Sequence, residues 1–148
     1  MKIAIPGLDV TLIDSVGKKV AFLNETVEAL GLPGIRAKYM RIEELAATSR
    51  EKFNFATARA VASLPTLLEY ALPLLRVGGF LFAYKARGVC GEIDASKNAL
   101  AILGGQVISV AEANLDEETV RTLVIVKKVS QTPSKYPRGQ NLPRLRPL

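Results

Sequence analysis

Short runs rich in β-branched and aromatic residues alternate along this chain with longer stretches whose apolar residues recur every three or four positions. That alternation constrains the fold more than any other feature, because period-two and period-3.6 patterns fit different backbones. Residues 10–13 form the first such run, closed by Asp14 and Ser15. Ser15 suits the N-cap of a helix over 16–30, on which Val16, Val20, Leu23, Val27 and Leu30 share a face. Gly31 and Pro33 end it. A second strand is predicted at 35–39, a short helix at 43–47 and a third strand at 55–60. Ser63-Leu64-Pro65 opens a helix to about residue 75, since proline is tolerated where a first-turn amide has no partner. Gly78-Gly79 turns the chain into a strand at 80–84, and a helix over 92–103 stops at Gly104-Gly105. Strands at 106–111 and 121–129 are joined by a short non-helical link at 112–120, which favours an antiparallel edge pair. The order predicts an α/β sheet covered on both faces.

At 148 residues the chain fits one domain. After Val129 the composition turns to proline, basic and polar residues. Residues 1–129 therefore read as the domain, and 130–148 as a basic, proline-rich tail without a core of its own. The net charge of +6 lies wholly in the last 22 residues: Lys127, Lys128, Lys135, Arg138, Arg144 and Arg146 face no acid there. A neutral body with a basic end points to a polyanionic partner, nucleic acid first. The chain has no histidine, which excludes histidine bases, Ser-His-Asp and Cys-His hydrolases and histidine-held metals. The single cysteine, Cys90, excludes an internal disulfide and reads as structural. No metal, no membrane span and a cytoplasmic location are expected.

Several residues suit chemistry at strand ends. Asp14, at the carboxyl end of the first strand, suits a cofactor's ribose hydroxyls, or equally the capping of the next helix. Ile42 and Glu43 stand after the second strand, beside where an adenine would lie; Glu43 is also an ordinary acid for a helix start. Arg59 sits among small apolar residues at the end of the third strand, where a charge needs a partner. Lys85 and Arg87 follow the next strand and suit phosphate, or a plain basic loop. In the tail, Lys135, Tyr136 and Arg138 combine cations with a ring that can stack on a base. An acid at a strand end also serves NAD, so a dehydrogenase fragment is one alternative, and a non-catalytic RNA- or ribosome-binding module is another.

Four stretches together resemble the RsmG (GidB) family of bacterial 16S ribosomal RNA guanine-N7 methyltransferases: V-T-L-I-D-S-V-G-K-K-V-A-F-L-N, R-I-E-E-L-A, T-A-R-A-V-A-S-L-P-T-L-L-E-Y-A-L-P-L-L-R-V-G-G and a T-P-x-K-Y-P-R tail. The resemblance implies a Rossmann-like sheet, S-adenosylmethionine as cofactor, and 16S ribosomal RNA or the small ribosomal subunit as partner. It places Asp14 at the cofactor ribose, Ile42 and Glu43 at the adenine, and Arg59 at the cofactor site. Lys85 falls on the family's lysine-glycine loop, with Ala86 in place of the glycine. Family members carry a first, central strand and a glycine loop ahead of the part matched here, and residues 1–6 resemble the helix that follows that loop. The expected sheet therefore lacks its first strand, between those ending at Asp14 and Arg59. Such a shortened chain is expected to bind S-adenosylmethionine weakly or not at all.

Overall fold

The computed structural model describes residues 1–114 and 120–148. They form two compact units, Met1–Leu45 and Ala46–Leu148. The boundary falls inside the expected domain, and the basic tail belongs to the second unit.

In the first unit, β1 (Val10–Asp14) and β2 (Ile35–Tyr39) pair in parallel, joined by α1 (Gly17–Ala29). Parallel pairing places Asp14 beside Tyr39 at the carboxyl end of both strands. Val20 is the buried residue of α1, whereas Val16 and Leu30 lie just outside the helix and are exposed. The apolar stripe is thus shorter than its spacing suggests. Ser15 does not cap the helix; the Asp14 carboxylate accepts the Val16 N–H at 2.9 Å instead. Residues 1–6 make hydrogen-bonded turns rather than a helix. So short a segment ending in proline cannot recover the cost of helix nucleation. The Lys2 ammonium closes the turn on the carbonyls of Pro6 and Leu8, at 2.6 and 2.5 Å.

Helix α2 (Ile42–Thr48) crosses the boundary, and the second unit carries a four-stranded sheet in the order β3-β4-β6-β5. Strands β3 (Phe53–Arg59) and β4 (Leu75–Ala86) are parallel, while β6 (Val120–Lys128) runs antiparallel to both β4 and β5 (Gly105–Asn114). The antiparallel end pair is as the sequence predicts. Part of the link expected at 112–120 lies outside the described residues. Strand β3 pairs with β4 alone, and β1 with β2 alone, among the described residues.

Helices α3 (Leu64–Ala71), α4 (Cys90–Ala95) and α5 (Lys97–Leu103) supply the core with one sheet face. Leu64, Leu68, Leu72, Leu75 and Leu81 have no exposure, and each such side chain stabilises the fold by about 1.5–3 kcal/mol. The opposite face is not covered as expected. Phe55 and Tyr84 remain 49% and 44% exposed there, with Phe55 stacked on Phe80.

Two local readings change. The helix expected over 92–103 is two helices, because the Ser96 hydroxyl bonds back to the Glu92 carbonyl at 2.6 Å and competes with the helical ladder. Gly78-Gly79 lies within β4, where the pairing register jumps from Phe53–Leu75 to Phe55–Phe80. A side chain at Gly79 would press on the Asn54 carbonyl. Gly104 does end α5, in the left-handed conformation at φ 75°. Among the described residues no helix is long and apolar enough to cross a membrane.

Candidate functional site

Asp14 ends β1 with its side chain 28% exposed. Its Oδ1 is held by the Val16 N–H, and its Oδ2 lies 3.6 Å from the Lys19 ammonium. One oxygen is thus held by the backbone and the other paired with an exposed ammonium, which orients the carboxylate. Next to it, Ser15, Tyr39, Met40, Arg41 and Glu44 line a cavity of about 190 Å³. Of the residues at the start of α2, Glu44 is part of this lining. Its Oε2 accepts the Arg41 N–H at 3.0 Å and so fixes the start of α2. Ile42 and Glu43 occupy the first turn and are half-buried.

In the second unit Arg59 ends β3, opposite Tyr84 of β4. It is exposed rather than buried among its apolar neighbours, so it does not need an internal partner. Ala60 follows with φ 55°, a conformation costing a non-glycine residue about 1–3 kcal/mol. Lys85, expected to meet phosphate, is turned inward at 10% exposure. It donates to the Ala62 carbonyl at 2.8 Å and to Glu92 Oε2 at 2.6 Å. Arg87 is exposed. Arg121, which the sequence reading passed over, stands opposite Ala86 at the same end of the sheet and is also exposed.

The tail is folded onto this unit. Lys128 has no exposure. Its ammonium donates to the Leu72 carbonyl at 2.7 Å and to the Thr132 hydroxyl, with Glu51 at 3.5 Å. Burial pushes its pKa down to about 8, with Glu51 opposing that shift. As placed, it cannot reach RNA. Tyr136 is 6% exposed and packs in the core, so its ring is not a free stacking platform. The Arg50 guanidinium ties the segment down through the carbonyls of Thr132, Pro133 and Tyr136, at 2.6, 2.9 and 2.6 Å. Arg138 pairs with buried Glu69, and Arg144 donates to the Val61 carbonyl at 2.9 Å. Lys127, Lys135 and Arg146 remain exposed, Lys135 lying 5.3 Å above the Tyr136 ring. The sequence reading missed the anchors Arg50, Glu51, Glu69 and Glu92 because each lies between 7 and 86 positions from its partner.

Comparison with known proteins adds the deciding observation. Residues 1–121 match the family described as GidB, rRNA small subunit methyltransferase G. The chain belongs to this family. Its relatives include the ribosomal RNA small subunit methyltransferase G of Chloroflexus aggregans, 45% identical over 150 residues, covering all of this chain and 63% of the relative. The protein of that name from Lactobacillus johnsonii is 42% identical over the same share. The chain thus spans about 63% of the length of these curated relatives. Among solved structures, an rRNA methylase from Streptococcus thermophilus superposes with a TM-score of 0.59 at 20% identity, covering 85% of this chain and 78% of that one. A SAM-dependent methyltransferase from Methanosarcina mazei gives a TM-score of 0.65 at 13% identity, covering 88% and 86%. These likenesses establish the Rossmann-like α/β fold. Membership of the GidB family sets aside the dehydrogenase reading.

Proposed function

We propose that this chain carries the ribose-gripping and RNA-facing parts of an S-adenosylmethionine-dependent methyltransferase that acts on guanine N7 of 16S ribosomal RNA. The observation that carries the reading is Asp14: a carboxylate at the end of β1 with one oxygen held by Val16 and the other paired with the exposed Lys19, next in sequence to the cavity-lining Ser15, in a chain of the GidB family. S-adenosylmethionine, when bound, supplies a methyl group on a sulfonium, already activated for transfer. Asp14 accepts the ribose hydroxyls, and Ile42 and Glu43 lie towards the adenine. Arg59, exposed at the end of β3, serves the cofactor in this reading. Guanine N7 has a free lone pair, so no proton must leave before the methyl arrives. A chain without histidine suits this chemistry, which rests on alignment and exclusion of water.

The partner in this reading is 16S ribosomal RNA within the small subunit. Arg87, Lys127, Lys135 and Arg146 are exposed and contact phosphates. Lys85, Lys128, Arg138 and Arg144 act indirectly, by shaping the surface that meets the RNA.

The test is a chimera in which this chain replaces its matched portion of the Chloroflexus aggregans relative. Supplied with tritiated S-adenosylmethionine and unmodified small subunits, it is expected to leave label in 7-methylguanosine of 16S RNA, and to lose that labelling with Asp14→Ala. Label in another nucleoside, or none where the parent relative gives label, overturns the reading.

A further inference from the structure

Tyr84 stands near the carboxyl end of β4, on the sheet face that the helices leave open. Alternation along the strand decides this: Leu81 and Ala83 are buried on the helix-covered face, and Lys85 turns inward with them. On the open face Phe55 contacts the rings of Phe80 and Phe82, whereas Tyr84 has no ring or hydrogen-bond partner among the described residues. Its neighbours follow from the register. Arg59 of β3 and Leu123 of β6 stand directly opposite it, and Arg121 pairs with Ala86, two residues further along the same face. Diagonal cross-strand neighbours lie about 7–8 Å apart, within reach of long side chains. Arg59, Arg121 and, just beyond the strand, Arg87 are exposed. None of the three has a carboxylate partner among the described residues. An exposed aromatic face among free cations is complementary to a single-stranded nucleotide, whose base stacks on the ring while its phosphate meets an arginine.

We propose that Tyr84 is the platform on which the target guanine stacks. The proposal rests on the methyl-transfer reading above, in which Arg59 serves the cofactor; Tyr84 is the aromatic residue directly opposite it. The base has to lie beside the methyl donor, since reacting atoms must approach to about 3–3.5 Å. In the step itself the N7 lone pair forms the new N–C bond, while the C–S bond breaks and its electrons stay on sulfur. The sulfonium's positive charge thus passes to the purine, and no proton moves. A cation over a tyrosine face is attracted by the ring's quadrupole. Tyr84 therefore holds the methylated base more tightly than the unmethylated one, and the attraction grows as the new bond forms. Charge alone gives the opposite order, because methylation removes one net negative charge from an RNA that is drawn to arginines.

Two fluorescein-labelled single-stranded RNAs that differ at one position, guanosine in one and 7-methylguanosine in the other, test this by sign. Their binding to the 148-residue chain is followed by anisotropy at fixed salt and mildly acid pH, where the methylated base keeps its N1 proton and so its positive charge. The methylated RNA is expected to bind about two- to fivefold more tightly. Tyr84→Phe should keep that preference, because the ring face remains, and Tyr84→Leu should remove it. Equal binding of the two RNAs by the parent overturns the proposal, as does tighter binding of the unmethylated one. A preference that survives Tyr84→Leu, or is lost in Tyr84→Phe, overturns it too. These outcomes leave the RNA reading in place, whereas a parent chain that binds neither RNA refutes that reading and the stacking of guanine on Tyr84 with it.

Discussion

The Arg138 guanidinium lies against the Glu69 carboxylate, with Nη2 2.7 Å from Oε2 and Nε 2.9 Å from Oε1, and Glu69 has no exposure. The Arg138 backbone N–H donates to the same carboxylate at 2.8 Å. These hydrogen bonds hold the arginine's pKa above its ordinary value. Paired this way, a residue that reads as a phosphate contact is the clasp that closes the C-terminal segment onto α3.

Removing Arg138 strands a buried carboxylate. Arg138→Ala is therefore expected to destabilise the second unit by about 3–5 kcal/mol, measured by urea denaturation. A loss near that of an exposed arginine such as Arg87 would show that the clasp contributes little.

Lys128 sets a pH dependence. Its folded pKa, about 8, lies below its ordinary value of 10.5. Between these values the unfolded chain binds more protons than the folded one, so this group's contribution to stability rises with pH across that window and is least below about pH 8. Urea midpoints for the parent, taken relative to Lys128→Met, should climb from pH 8 to 10. A flat difference would contradict a desolvated ammonium.

Thr122 is fully buried, and its hydroxyl has no partner among the described residues. Thr122→Val keeps the shape and removes that unmet group, so thermal denaturation should give an equal or higher midpoint. A marked drop would mean that the hydroxyl is satisfied in solution.

At Gly104 a side chain would meet the Ser130 carbonyl, and the backbone is left-handed. Gly104→Ala is expected to cost about 2 kcal/mol or more. A calorimetric midpoint unchanged from the parent would contradict that placement.

Much of the fold was legible because its signals are local. β1 follows from its apolar run, Gly104 from helix-stop chemistry, and the antiparallel β5–β6 pair from a connection too short for a crossover. The C-terminal segment was not legible. Its basic residues look solvated in sequence, and the partners that bury them, Glu51 and Glu69, lie far upstream. Asp14 was legible as an acid at a strand end, but its contacts with Val16 and Lys19 and the neighbouring cavity belong to geometry. Glu43 and Glu44 are adjacent in sequence, and only the first turn of α2 decides which of them lines that cavity.

Saturation-transfer NMR of this chain with S-adenosylmethionine tests the ribose grip of Asp14 most directly, because it detects weak binding. Saturation should reach the adenine and ribose protons and vanish in Asp14→Ala. Transfer unchanged by Asp14→Ala would contradict it.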